Sequence, residues 1–157
     1  MVNRISYSNN QLSFLVLLRW LIGWHFLYEG IVKIANPAWT AKNYLASTDW
    51  LFSGIFNRMA DNETMMSVVD LTNQWGLALI GIGLILGLLS RYALIGGVVL
   101  LLFYYVAHPP LFATGPIPVE GSYLFVNKNL IEACAMLVLL YFPTSHIIGL
   151  DRFFVKH

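Results

Sequence analysis

Charge and cysteine are what this sequence has least of. Asp, Glu, Lys and Arg make up 11% of its 157 residues, while 58% are hydrophobic; a soluble domain carries about 25% charged residues. An ordinary domain of this length buries only about 70% of its unfolded surface, so the surplus apolar surface must face something other than water. The composition therefore excludes an ordinary soluble domain and implies an integral membrane protein whose first partner is the lipid bilayer.

The shortage of charge also removes a class of partner. Nine Lys and Arg residues are scattered without a basic run, and the net charge is +1, so there is no electrostatic footprint for nucleic acid. The single cysteine, Cys134, lies in an apolar run, which excludes an internal disulfide, a CxxC pair and a thiolate cluster. Thiol chemistry would need a partner protein. A clean signal peptide is missing too: the first apolar segment carries Arg19, His25, Glu29 and Lys33, so it is expected to be retained as a transmembrane helix. No internal repeat or low-complexity segment appears.

A bilayer core of about 30 Å takes roughly 20 apolar helical residues. Four segments approach this, at about 12–34, 72–89, 92–107 and 124–142, in one transmembrane domain covering 1–157. Asn36 to Trp39 (NPAW) reads as a helix stop followed by a new start. The second and third segments are split at Ser90 and Arg91, because one continuous helix would be about 54 Å long, too long for a membrane. The fourth is short unless it starts before Asn129, which leaves three spans plus a re-entrant piece as the alternative. The expected fold is all-α, an antiparallel four-helix bundle.

The long connection 35–71 is expected to fold on the membrane surface. Residues 36–45 have a plausible cap, and 49–59 place Trp50, Phe52, Ile55, Phe56 and Met59 mainly along one helical side, as in an interfacial helix; a plain hydrophobic loop is the alternative. The second long loop, 108–127, carries Pro109, Pro110, Pro116 and Pro118 and reads as an extended lid. Arg4, Arg91, Arg152 and Lys156 share the side of both termini, so the positive-inside rule puts the termini in the cytoplasm and both long loops on the exoplasmic side.

Ionisable residues inside membrane helices cost about 2.5–3.5 kcal/mol each on insertion scales and need a partner, water or a function. His25, Glu29 and Lys33, spaced four apart, drift only about 40° per step around a helix. The fourth segment brings Lys128, Asn129 and Glu132. In an antiparallel bundle these groups meet Asn73, Gln74 and Trp75, and Tyr104, Tyr105 and His108, at one membrane face, forming a polar, aromatic half above a plain hydrocarbon half. The bland alternative is that Glu29 pairs with Lys33, Glu132 pairs with Lys128, and both pairs merely lock helices together. Metal binding is the less favoured reading, because His25 and Glu29 form half a helical site that His108 would have to complete across the bundle. Arg19 is within snorkelling reach of the headgroups and reads as structural or lipid-binding. Glycines of the second and third segments, including the Gly83–Gly87 GxxxG pair, suggest close packing. Trp24 and Tyr28 are either interfacial anchors or the lining of a cavity for a flat ring.

The run RWLIGWHFLYEGIVKI, with Arg19, Gly23, Glu29, Gly30 and Lys33, the GLLSR at Gly87 to Arg91, and VNKNLIEACAML at Val126 to Leu137 with Glu132, together resemble the DoxX family of small four-helix bacterial membrane proteins over about residues 13–141. The resemblance implies a protein of the bacterial inner membrane and of redox type, since the family is related to the membrane subunit of thiosulfate:quinone oxidoreductase and acts with partner enzymes. Without a cysteine pair, independent thiosulfate oxidation is not expected.

The leading expectation is a membrane subunit of an electron-transfer system that meets a quinone or small sulfur substrate at the polar cluster. Glu29 and Glu132 would relay protons, Lys33 would stabilise developing negative charge, and His25, Trp24, Trp75, His108 and Asn129 would contact the ligand. The alternatives are a non-catalytic anchor for a partner protein in a larger complex and, last, a small transporter, which four helices would reach only as a homo-oligomer.

Overall fold

A computed structural model of the protein describes residues 6–110 and 122–154. The chain is mostly helical, and three of its helices are long and apolar enough to cross a membrane: Asn9–Ala35, Glu63–Leu86 and Ser90–Ala107.

Helix α1 (Asn9–Ala35) starts where Ser8 forms a capping box. Its Oγ accepts from the Gln11 amide at 3.3 Å, and Gln11 Oε1 accepts from the Ser8 amide at 2.9 Å, so two otherwise orphaned donors are satisfied. Asn36 ends the helix just before Pro37. The connection then forms α2 (Lys42–Ala46) and α3 (Ser53–Asp61).

The second long helix starts at Glu63 rather than near residue 72, because Asn62 caps it by accepting from the Met65 amide at 2.9 Å. It runs as α4 (Glu63–Leu71), a π-helical turn (Thr72–Gly76) and α5 (Leu77–Leu86). Gly87, at φ 64°, ends α5 in the left-handed conformation that glycine adopts without a Cβ penalty. Leu88 and Leu89 complete the turn into α6 (Ser90–Ala107).

The fourth helix differs from expectation. Residues Ser122–Tyr123 (β1) and Val126–Asn127 (β2) pair as a short antiparallel hairpin, and α7 (Lys128–Tyr141) begins only after it, capped by Asn127. Its 14 residues span about 21 Å, less than a bilayer core. Residues 111–121 of the expected proline-rich lid, with Pro116 and Pro118, lie outside the described residues, as do Arg4 and Lys156.

Packing runs α1 on α5, α5 on α6, α6 on α7, and α7 back to α1. Ile22, Phe26, Leu84, Leu101 and Met136 anchor the core. The α1–α5 contact is the closest: a Cβ on Gly30 would lie 2.5 Å from the Ala78 amide nitrogen, and one on Gly81 would collide with the backbone of Leu27. Close approach therefore rests on Gly23, Gly30 and Gly81. The Gly83–Gly87 pair plays another part, with Gly83 facing Ala93 and Gly87 forming the turn.

A second small core joins Ala41, Leu45, Phe56, Ala60, Met66 and Ala107. It seats the connection on the end of α6, helped by Trp50 Nε1 donating to the Val106 carbonyl at 2.7 Å. The expected one-sided apolar face is split here. Phe56 turns inward against Phe103, whereas Leu51, Phe52 and Ile55 stay exposed.

At the opposite end, the described residues of both terminal segments lie together with the α5–α6 turn. Arg19 does not snorkel; it is only 2% exposed. Its guanidinium donates to Thr144 Oγ1 at 2.9 Å and to the Ile148 carbonyl at 2.6 Å. Beside it, the Asp151 carboxylate accepts from the Leu89 amide at 2.7 Å and the Ser90 amide at 3.1 Å. Asp151 thus caps α6 from the far end of the chain, since α6 has no side-chain cap of its own.

Candidate functional site

At the loop end the helices part around a cavity of about 330 Å³, within the range of small-ligand pockets. Helix α1 contributes His25, Phe26, Glu29 and Lys33, one helical turn apart or nearly so, so the stripe read from spacing faces a real space. The π turn contributes Asn73, and α6 contributes Leu101, Phe103 and Tyr104. The first turn of α7 adds Lys128 and Asn129.

Two ion pairs organise the polar side. Lys33 Nζ donates to Glu29 Oε2 at 2.5 Å, and its ammonium lies 5.6 Å from the centre of the Trp39 ring. His25 Nδ1 meets Glu132 Oε1 at 2.8 Å across α1 and α7. The Glu29–Lys33 pairing is therefore present, but Glu132 pairs with His25 rather than with Lys128. Among the described residues Lys128 has no ion-pair partner, so the lining carries one more ammonium than its own lining carboxylate neutralises.

The remaining polar contacts stiffen the wall. The π turn rotates Asn73 inward, a common use of such turns at functional sites; its Nδ2 donates to the Val69 carbonyl at 2.8 Å, and the Tyr104 hydroxyl donates to its Oδ1. Tyr44 of α2 closes the top, its hydroxyl donating to the Tyr104 carbonyl at 3.3 Å. Burial pushes the Tyr44 hydroxyl up to about 12, so it stays a donor at neutral pH. Asp70 Oδ1 accepts from the Ala41 amide at 2.8 Å and ties the start of α2 to the end of α4.

Of the expected site residues, the cavity gathers His25, Glu29, Lys33 and Asn129, with Glu132 directly behind His25. Three others stand elsewhere. Trp24 and Trp75 are 61% and 52% exposed and do not line the cavity; each lies on the outward face of its helix, because the inward positions next to them are taken by His25 and Asn73. His108 packs on the Tyr44 ring, with centroids 4.3 Å apart, and its Nε2 meets the Tyr44 carbonyl at 2.8 Å. It braces the roof and does not reach His25. Among the described residues no three His, Cys, Asp or Glu side chains converge as a metal site.

The roof residues Thr40, Tyr44 and Leu45, with Val69, were not legible in advance. Thr40, Tyr44 and Leu45 come from a connection whose path across the helix ends is set by the second core, Val69 comes from α4, and no local motif marks them. No family model matches the chain, nor does any curated protein or solved structure.

Proposed function

We propose that this protein is a four-helix integral protein of the bacterial cytoplasmic membrane, with both termini in the cytoplasm, and that it serves as the membrane subunit of an electron-transfer system whose cavity receives a quinone head. The observation that carries the reading is the meeting of the His25–Glu132 pair, the Glu29–Lys33 pair and the Lys128 ammonium around one apolar-walled cavity. Ionised groups at this depth of a membrane helix are costly, and a polar ligand offsets that cost. The sequence resemblance to the DoxX family supports the redox reading. Arg91 and Arg152, beside the described ends of both terminal segments, support the orientation. In the bundle, α7 is the fourth helix, too short to reach across alone and completed toward the loop side by the β1–β2 hairpin.

Reducing a quinone to a quinol takes two electrons and two protons. A partner protein would supply the electrons, because this chain has no cysteine pair. His25 and Glu132 hold a shared proton position at the cavity wall, suited to proton transfer. Lys33 and Lys128 place positive charge where a ring oxygen gains negative charge. Phe26 and Phe103 give the ring an apolar bed and exclude water.

The test is equilibrium binding of a tail-less naphthoquinone to the purified protein in nanodiscs, read by quenching of tryptophan fluorescence. Saturable quenching that weakens about tenfold in Glu132→Gln and Lys33→Met is expected. No saturable binding sinks the reading. A second reading, an anchor for a partner protein, is favoured by the exposed Leu51, Phe52 and Ile55. It predicts that Phe52→Asp releases a copurifying chain while Glu132→Gln does not.

A further inference from the structure

The α1–α7 contact is unlike the others in the molecule. Among the described residues, side-chain hydrogen bonds and ion pairs join α1, α7 and the segments flanking them at the two ends: His25 to Glu132 near the loop end, and, near the terminal end, Arg19 to Thr144 and Ile148 and the Tyr7 hydroxyl to the Pro143 carbonyl at 3.3 Å. These residues flank or belong to the two helices. Toward the terminal end lies an open, mostly apolar groove of about 600 Å³, walled by Phe14, Leu15 and Leu18 of α1, Val138 of α7 and its C-cap Phe142, with Asn10 and Gln11 at its polar end. Its floor is the segment around Tyr7.

The polar cavity lies at the loop end of the same seam, where His25 of α1 meets Glu132 of α7. The side chains of His25 and Glu29 are 41% and 47% exposed although both line that cavity, and His25 contacts Glu132 of α7, so the cavity lining reaches the surface beside α7. Helical spacing puts Phe14, Leu18, Leu21, His25 and Glu29 on one face of α1. On α7, Glu132, Ala135 and Val138 lie on the side toward this seam, with the C-cap Phe142 below them and the small Ala135 in the middle. From Phe14 to Glu29 the seam is about 22 Å long, most of the hydrocarbon thickness of a bilayer.

We propose that the α1–α7 seam is a lateral entry and tail-binding groove: a prenyl quinone enters sideways from the bilayer, its head occupying the cavity and its tail lying along the seam down to Leu18 and Phe14. This rests on the quinone reading above and adds a requirement that reading does not make, that a long tail contributes to recognition. A head bound from the aqueous side would need neither the exposure of His25 and Glu29 nor an apolar groove on the same seam. The groove explains both.

The experiment uses the full chain in nanodiscs and a naphthoquinone whose prenyl tail ends in a diazirine. After illumination the adducts are mapped by mass spectrometry. The expected result is about tenfold enrichment of adducts at residues 10–18 and 138–142 over the lipid-facing Leu79 and Val99, removed by excess tail-less naphthoquinone. Ala135→Trp, which fills the middle of the seam, should lower that labelling by a similar factor and leave quenching by the tail-less compound unchanged. Uniform labelling of lipid-facing residues, with tail-less binding intact, overturns the groove and spares the cavity. Absence of tail-less binding overturns both. Leu18→Trp, at the other wall, gives the same readout if Ala135→Trp fails to fold.

Discussion

Replacing Gly30 with alanine tests the packing that holds the cavity walls together. The added Cβ would lie 2.5 Å from the Ala78 amide nitrogen and 2.9 Å from its Cα and Cβ. The first distance falls 0.9 Å below the 3.4 Å at which ordinary contact begins. The obstacle is backbone, which no rotamer change can move aside, so α1 and α5 must separate locally. A gap of about 0.5–1 Å forfeits a quarter to a half of the dispersion energy of each contact it opens, and overpacking of this kind costs about 1–3 kcal/mol. Alanine returns about 1 kcal/mol through helix propensity, leaving a net loss of up to about 2 kcal/mol. Gly96→Ala is the internal control, since its Cβ would meet only Ile80 side-chain atoms, at 3.6 and 3.9 Å; it should be neutral or stabilising by about 0.5–1 kcal/mol. The assay is SDS-driven unfolding in mixed micelles, followed by far-ultraviolet circular dichroism. If Gly30→Ala proves as stable as Gly96→Ala, α1 and α5 do not meet in backbone contact at Gly30.

Three further outcomes follow from the other contacts. Burial raises the Asp151 carboxyl pKa, but donation from the Ser145 hydroxyl and from the Ser90 and Leu89 amides outweighs it and holds the group below its ordinary 3.8; its contribution to stability is therefore full above that value and lost as pH falls through the lower folded value. Acid titration of unfolding should show this loss, and Asp151→Asn should flatten it while lowering stability at neutral pH by about 1–3 kcal/mol. Arg19→Ala removes two charge-assisted hydrogen bonds from a buried site, so it should destabilise by about 3 kcal/mol and speed proteolysis within residues 143–154, whereas an unchanged cleavage rate would contradict the lock. A double-mutant cycle between His25→Ala and Glu132→Ala should give a coupling energy of about 0.5–3 kcal/mol, and a value near zero would mean that the pair does not form in the folded protein.

Much of the molecule was legible in the residues themselves, for reasons that act locally. Low charge and long apolar runs identify membrane-length helices, because every backbone group in hydrocarbon must be paired within the helix. The four-residue spacing of His25, Glu29 and Lys33 places them on one stripe in any α-helix, and i,i+4 geometry alone predicts the Glu29–Lys33 pair. What depended on distant segments could not be read in this way. The partner of Glu132 is His25 on α1 rather than its neighbour Lys128, and Arg19 is buried by Thr144 and Ile148 from the other end of the chain. Asp151 caps a helix 61 residues before it, and Asn73 is aimed inward by a π turn that no residue pattern announces. The sequence by itself determined which stretches are helical and apolar, and which polar groups share a stripe, since both follow from backbone hydrogen bonding and 3.6-residue periodicity. Only the tertiary structure decided which stripes face one another, how near α1 lies to α5, and where the space between α1 and α7 stays open, because those depend on side-chain volumes and contacts between residues far apart in the chain.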